Sequence, residues 1–119
     1  MPWEVLTTDQ FNAWYEALDD EAAETVTARI DLLEREGPNL KRPVVGAIET
    51  SKHRNMKELR ASVAAHELRV LFVFDPTRRA ILLLGGDKTG RWDSWYAENV
   101  PAADALYDEY LRETEQEGR

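Results

Sequence analysis

The segment ELRVLFVFDPTRRAILLLGG, residues 67–86, constrains the fold more than any other part of the chain. Its first half sets Leu68, Val70, Phe72 and Phe74 against Arg69, Leu71 and Val73, the two-residue period of a strand. Asp75-Pro76-Thr77-Arg78 then supplies turn chemistry, because proline fixes a backbone dihedral and aspartate can bond the amides that follow. The next run, AILLLGG, is apolar on both sides and has to be covered on both. Residues 67–86 therefore predict a hairpin at the centre of a mostly antiparallel sheet, with helices on at least one face.

The flanks supply the other elements. WEVL, Trp3 to Leu6, reads as a short strand, and Thr7 with Gln10 forms a capping-box pattern opening a helix that carries Phe11, Trp14, Tyr15 and Leu18 on one stripe. Asp19 or Asp20 can cap a second helix, with Ala23, Val26, Ile30 and Leu33 along one side and Gly37-Pro38 as its stop. PVVGAIE and NMKELR read as short extended segments separated by the polar loop TSKHRN. After a loop holding Trp92, Trp95 and Tyr96, Pro101 is expected to start a third helix with Ala103, Leu106, Tyr107 and Tyr110 inward. The acidic end EYLRETEQEGR is expected to fray. The fold class that follows is α+β. With 119 residues, 43% of them hydrophobic, residues 1–119 are expected to form one domain around one core.

Charge is segregated along this order. Residues 1–36 hold ten acids against Arg29 and Arg35, residues 37–92 hold eleven cations against five acids, and residues 93–119 hold eight acids against Arg112 and Arg119. A basic middle sits between two acidic arms, so a phosphate-attracting surface is compatible with a net charge of −8.

Several chemistries are excluded or disfavoured. There is no cysteine, hence no disulfide, thiolate metal site or thiol nucleophile. His53 and His66 lie in separate polar segments without metal-ligand spacing, so no metal and no cofactor is expected. GGDKTG fails as a phosphate loop because Asp87, not glycine, precedes Lys88. Gly85, Gly86 and Gly90 are expected instead to let the backbone leave the strand with unusual dihedrals and carry Lys88 to its place. No apolar run is long enough to span a membrane and no secretory signal opens the chain, so a cytoplasmic location away from membranes is expected.

The ordered string of NMKELR (55–60), LRVLFVFDPTRRAILLLGGDKTG (68–90), WY (95–96) and VPAADALYDEYL (100–111), with the N-terminal W-E-V strand and GPNLKRP at 37–43, resembles the phage-derived toxin-like branch of the RelE/HigB superfamily of type II toxin–antitoxin modules. The resemblance implies a RelE-like sheet with helices packed on one side and a basic, concave other side. It implies an mRNA endoribonuclease acting on the ribosome. It also implies a cognate helix-turn-helix antitoxin, through which alone the protein would meet operator DNA.

Such cleavage passes the phosphoryl group from the 5′-oxygen to the neighbouring 2′-hydroxyl, which needs a base, cations to hold the phosphorane and an acid. Arg69, on the minority-polar face of its strand, is the candidate for transition-state charge. Lys88 and Tyr96 match the late basic and aromatic site residues of the family, as phosphate or leaving-group stabiliser and substrate positioner. Lys57 or Arg60 is assigned to the base side. Their odd separation sends them to opposite faces, so only one can stand beside Arg69. Arg78, Arg91, Trp92 and Trp95 are candidates for RNA contact, the tryptophans by stacking. Plain alternatives are an ion pair of Arg69 with Glu58 or Glu67, and a core role for Tyr96 and the tryptophans. The sequence departs from the superfamily in its pI near 4.8 and in carrying Glu58 where relatives offer a base. The alternative to a nuclease is a non-catalytic adaptor or a degenerate toxin that binds without cutting.

Overall fold

The two apolar runs do form the central hairpin. In the computed structural model, which describes residues 2–117, β4 (His66–Asp75) and β5 (Arg79–Asp87) pair antiparallel across the turn, with a bulge between Leu71 and Phe72. β3 (Met56–Val63) pairs antiparallel on the other side of β4, and β2 (Val45–Ala47) closes that edge. β1 (Glu4–Thr7) runs parallel to β5, giving the strand order β1-β5-β4-β3-β2.

Helices cover both faces of the sheet, where the family resemblance implied one. α1 (Asp9–Glu16) and α2 (Asp20–Glu36) pack on one face, against Leu59, Val70, Phe72 and Leu82 and, lower on β3 and β4, against Ala61, Val63 and Leu68. α3 (Trp92–Glu117) packs on the other, where Trp95, Val100, Ala103 and Tyr107 meet Met56, Leu71, Val73, Ile81 and Leu83. The double-sided apolar character of β4 and β5 demands this. Leaving one row in water would forfeit roughly 1.5–3 kcal/mol for each large side chain.

Local boundaries differ from the sequence reading for identifiable reasons. β1 extends through Thr7, so Thr8 is the cap of α1 and its Oγ1 accepts from Phe11 N at 3.0 Å. On α2, capped by Asp19, the buried residue of the first turn is Ala22, not Ala23. β2 keeps only three residues of PVVGAIE. α3 starts at Trp92, nine residues before Pro101, because the Lys88 carbonyl accepts from the amides of Arg91 and Trp92 and winds the chain into the helix. Pro101 lies inside the helix on an exposed position, and Ala97, whose carbonyl it leaves without a donor, is exposed as well. The acidic end is helical to Glu117, and residues 118–119 lie outside the described residues.

Candidate functional site

α3 packs on the half of its sheet face nearest the β4–β5 turn, with Trp95 reaching back over Gly86. On the other half, alternate residues of β3 and β4 bring up Glu58, Arg60, Ser62, Glu67 and Arg69, and the loop after β5 adds Lys88. Arg60 and Arg69 are direct cross-strand partners. The first turns of α3 wall the cluster with Trp92 and Tyr96.

Glu58 is the hub. It is 3% exposed, accepts from Tyr96 Oη at 2.6 Å through Oε1, and accepts from Arg60 Nε and Nη2 at 3.1 and 3.0 Å through Oε2. Arg69, 6% exposed, stands with Nε 3.5 Å from Glu58 Oε1, donates through Nη1 to the Leu68 carbonyl at 2.9 Å, and reaches Glu67 Oε1 with Nη2 at 3.4 Å. Its Nε is buried without a hydrogen-bond acceptor. Lys88 is 7% exposed, with its ammonium 4.2 Å from the Trp92 ring centre and 5.2 Å from that of Tyr96. No carboxylate among the described residues pairs with it. Three cations thus face two carboxylates, leaving net positive charge in a region largely removed from water.

That environment moves two proton affinities. Burial, aided by the Glu58 carboxylate, pushes the Tyr96 phenol up to about 12, so the hydroxyl stays protonated as a donor. Burial, and then the Arg69 charge, lower the Lys88 pKa below the usual lysine value, which makes its ammonium a stronger acid.

The glycines act differently from the sequence reading. Neither Gly85 nor Gly86 has a positive φ; both belong to β5. They make room for indoles on opposite faces: a Cβ on Gly85 would collide with Trp14, and one on Gly86 would stand 2.6 Å from Trp95 Nε1. Gly90, at φ 74°, is the residue that uses glycine's conformational freedom to turn the chain from Lys88 into α3. Gly46 opposite Glu58 leaves space on β2 for the Arg60 guanidinium.

The sequence candidates therefore sort by place. Arg60, Arg69, Lys88 and Tyr96 share one face, and Trp92, 58% exposed, forms its rim. Lys57 projects to the opposite face, into a pocket with Lys41 and Arg42. Trp95 is 2% exposed in the core on Gly86, so it presents no ring for stacking. Arg91 is exposed beside the Lys88 turn and gives its guanidinium to Glu98. Arg78 sits in the β4–β5 turn, at the far end of the hairpin, over the Trp3 ring. Glu58, noted in the sequence only as a departure and an ion-pair partner, proves to be the centre. Arg29 of α2, which no sequence signal singled out, lines a cavity with Arg60 and Arg69. His53 bonds Asp108, and His66 bonds Asp87. No group of three or more histidines and carboxylates able to hold a metal occurs among the described residues. No helix among them is long and apolar enough to cross a membrane.

Comparison with known proteins places this arrangement in a family. The family described as phage-derived protein Gp49-like (DUF891) matches residues 13–108. The chain is 50% identical over 107 residues to the candidate toxin HigB3 of Mycobacterium tuberculosis, covering 90% of this chain and 92% of that protein. It is 47% identical over 108 residues to the candidate toxin HigB2 of the same organism, of whose length it spans 54%. Among solved structures, the free Escherichia coli toxin RelE, as a double arginine-to-alanine variant, superposes with a TM-score of 0.61 at 10% identity over 86% of this chain and 98% of that one. The RelBE2 toxin–antitoxin complex of M. tuberculosis gives 0.55 at 16% identity, over 73% and 99%. The archaeal RelE–RelB complex of Pyrococcus horikoshii gives 0.56 at 17% identity, over 76% and 99%. At these identities the structural likenesses establish the fold alone. The extent of the family match and the identity to the two mycobacterial relatives establish more: the chain belongs to the Gp49-like family within the RelE/HigB toxin superfamily.

Proposed function

We propose that this protein is the toxin of a type II toxin–antitoxin module and that it cuts messenger RNA on the ribosome without a metal. The observation that carries the reading is the convergence of Arg60, Arg69, Lys88 and Tyr96 around the buried Glu58 on one face of the sheet. In this reading Arg69 and Arg60 hold the scissile phosphate and the charge of the phosphorane, and guanidinium forks suit that task. The 2′-oxygen attacks phosphorus, the bond to the 5′-oxygen breaks, and a 2′,3′-cyclic phosphate and a 5′-hydroxyl result.

Proton transfer then needs an acceptor and a donor. Arg60 cannot be the acceptor, since a guanidinium does not give up its proton in a protein, and Lys57 faces the other way. Glu58 is the carboxylate within the cluster's centre, and phosphate binding would draw Arg60 and Arg69 from it and free its oxygens to accept a proton. Glu58 takes the 2′-hydroxyl proton, Lys88 gives its proton to the departing 5′-oxygen, and Tyr96 positions the substrate through its hydroxyl. Side-chain acid–base help of this kind contributes roughly 10²–10⁴-fold.

A cognate antitoxin belongs to the same reading, supported by the two structural neighbours solved as toxin–antitoxin complexes. Contact with operator DNA would come through that antitoxin, which we take to be of helix-turn-helix type. One observation favours a second reading: Glu58 already occupies Arg60 and Arg69, as a phosphate would, which suits a protein that binds RNA or an adaptor surface without cutting.

Induced expression with and without the neighbouring antitoxin gene, followed by primer extension on cellular transcripts, tests the proposal. New 5′ ends within coding regions, absent for Arg69→Ala, support the nuclease. Unaltered growth and intact transcripts with the wild-type chain end it in favour of the second reading.

A further inference from the structure

Past the end of β2, the edge of β3 is left without a neighbouring strand, because β2 pairs only with Lys57 to Leu59. Arg29 reaches this edge from α2, and with Arg60 and Arg69 it walls a cavity of about 330 Å³ that also touches Ser62 and Glu67. Two layers of the fold thus place three guanidinium groups around one hollow.

The hollow is under-supplied with acceptors. Arg29 Nε and Arg69 Nε are both buried without a hydrogen-bond acceptor, although each orphaned buried donor of this kind costs free energy. Among the described residues no carboxylate pairs with Arg29. Glu67, the one carboxylate in the lining, is engaged by Ser62 Oγ at 3.0 Å and by Arg69 Nη2 at 3.4 Å. Arg60 and Arg69 share Glu58, and Arg69 also reaches Glu67, so three guanidinium groups face two carboxylates and Arg29, with its buried Nε, has neither. This excess calls for a ligand with negative charge and several acceptor oxygens. A phosphate offers both, and the volume leaves space for the sugar that carries it.

We propose that this cavity is a phosphate-binding subsite and that Arg29 is a substrate-binding residue, holding the backbone phosphate next to the scissile one that Arg60 and Arg69 grip. The inference rests on the ribonuclease reading for the source of the phosphate, though not for the existence of the anion site. It gives a role to one of only two cations in an acidic helical arm, where sequence patterning shows nothing.

Arginine Nε–Hε resonances of the full chain, followed by NMR with inorganic phosphate and with a non-cleavable 2′-deoxy trinucleotide, provide the test. Both probes are expected to move Arg29 and Arg69, and Arg29→Gln is expected to weaken both by roughly tenfold or more, with Arg29→Lys intermediate because it keeps charge and loses the fork. In RNA cleavage, Arg29→Gln should raise KM and leave kcat in place. Phosphate binding that moves Arg29 in a protein that cuts no RNA upholds the anion site while the nuclease reading fails. RNA cleavage with unchanged KM in Arg29→Gln, and Arg29 resonances silent to both probes, overturns the subsite while the nuclease stands. Response to inorganic phosphate and none to the trinucleotide overturns the substrate role.

Discussion

Tyr96 donates its hydroxyl proton to Glu58 Oε1 across 2.6 Å and so ties the first turns of α3 to the centre of β3. Burial first, and then Glu58, hold the phenol up to about 12. The folded-state pKa lies above the unfolded value, so the stabilisation is complete below the ordinary tyrosine range near 10 and drains away as pH rises through about 12. Carbon-13 NMR of the Tyr96 ring is expected to show ionisation near pH 12, and Glu58→Gln should bring it down toward the ordinary value. An unchanged midpoint in the variant would mean that Glu58 has no hold on the phenol.

Lys88 carries the opposite linkage. Burial and the Arg69 charge lower its pKa, so the folded state resists the proton that the unfolded chain accepts. That cost is full at neutral pH, and stability recovers as pH rises from the folded value toward the ordinary lysine value. Lys88→Met keeps the length and packing on Trp92 and removes the charge. Urea unfolding at neutral pH is expected to show stability equal to or above the wild type. RNA binding is expected to fall roughly tenfold or more with the loss of a charge-assisted contact. A variant that loses stability and keeps binding would reassign Lys88 to structure.

Gly86 and Gly90 test two different reasons for glycine. Alanine at position 86 meets the indole of the buried Trp95, at 2.6 Å from Nε1, and overpacking of this kind costs about 1–3 kcal/mol. Alanine at position 90 meets nothing within 4 Å and is strained only by its φ of 74°, a cost of about 1–2 kcal/mol. Chemical denaturation should record a loss for both. Tryptophan fluorescence should change for Gly86→Ala and stay as in the wild type for Gly90→Ala.

These glycines also show which parts of the molecule were legible in the sequence. Local pattern was enough for the hairpin of β4 and β5, for the opposite directions of Lys57 and Arg60, and for the face of Arg69, because side-chain period and turn chemistry act over a few residues. What the sequence hid depends on contacts between distant elements. Gly85 and Gly86 look like conformational hinges until Trp14 and Trp95 arrive from different helices on opposite faces. Pro101 looks like a helix start because proline favours that position, yet the Lys88 carbonyl had already wound the helix at Trp92. Glu58 looks like a misplaced acid in a basic strand until Tyr96, 38 residues on, bonds to it. Arg29 belongs by sequence to an acidic arm, and only the packing of α2 on β3 brings it to Arg60 and Arg69.

The loop before β3 is latched to α3 by two carboxylates one helical turn apart. Asp104, buried, accepts from Ser51 Oγ at 2.5 Å and from the Lys52 amide at 3.1 Å, while Asp108 accepts from His53 Nε2 at 2.8 Å and from Lys52 Nζ. The hydrogen bond from Lys52 is the main cause that holds Asp108 below the ordinary carboxylate value, with His53 adding to it. A lowered carboxylate gives stability that is present above its unfolded pKa and lost as pH falls toward the folded one, so the Asp108 half of the latch should loosen only in acid. Asp104→Ala strands the Ser51 hydroxyl and the Lys52 amide at neutral pH, at a cost of roughly 1–3 kcal/mol. Hydrogen exchange is expected to speed up at Lys52 and His53 in that variant. RNA binding should be unchanged, since the latch lies at the opposite end of β3 from Arg60 and Arg69. Faster exchange at Arg60 and Arg69 as well would show that the latch braces the whole sheet face.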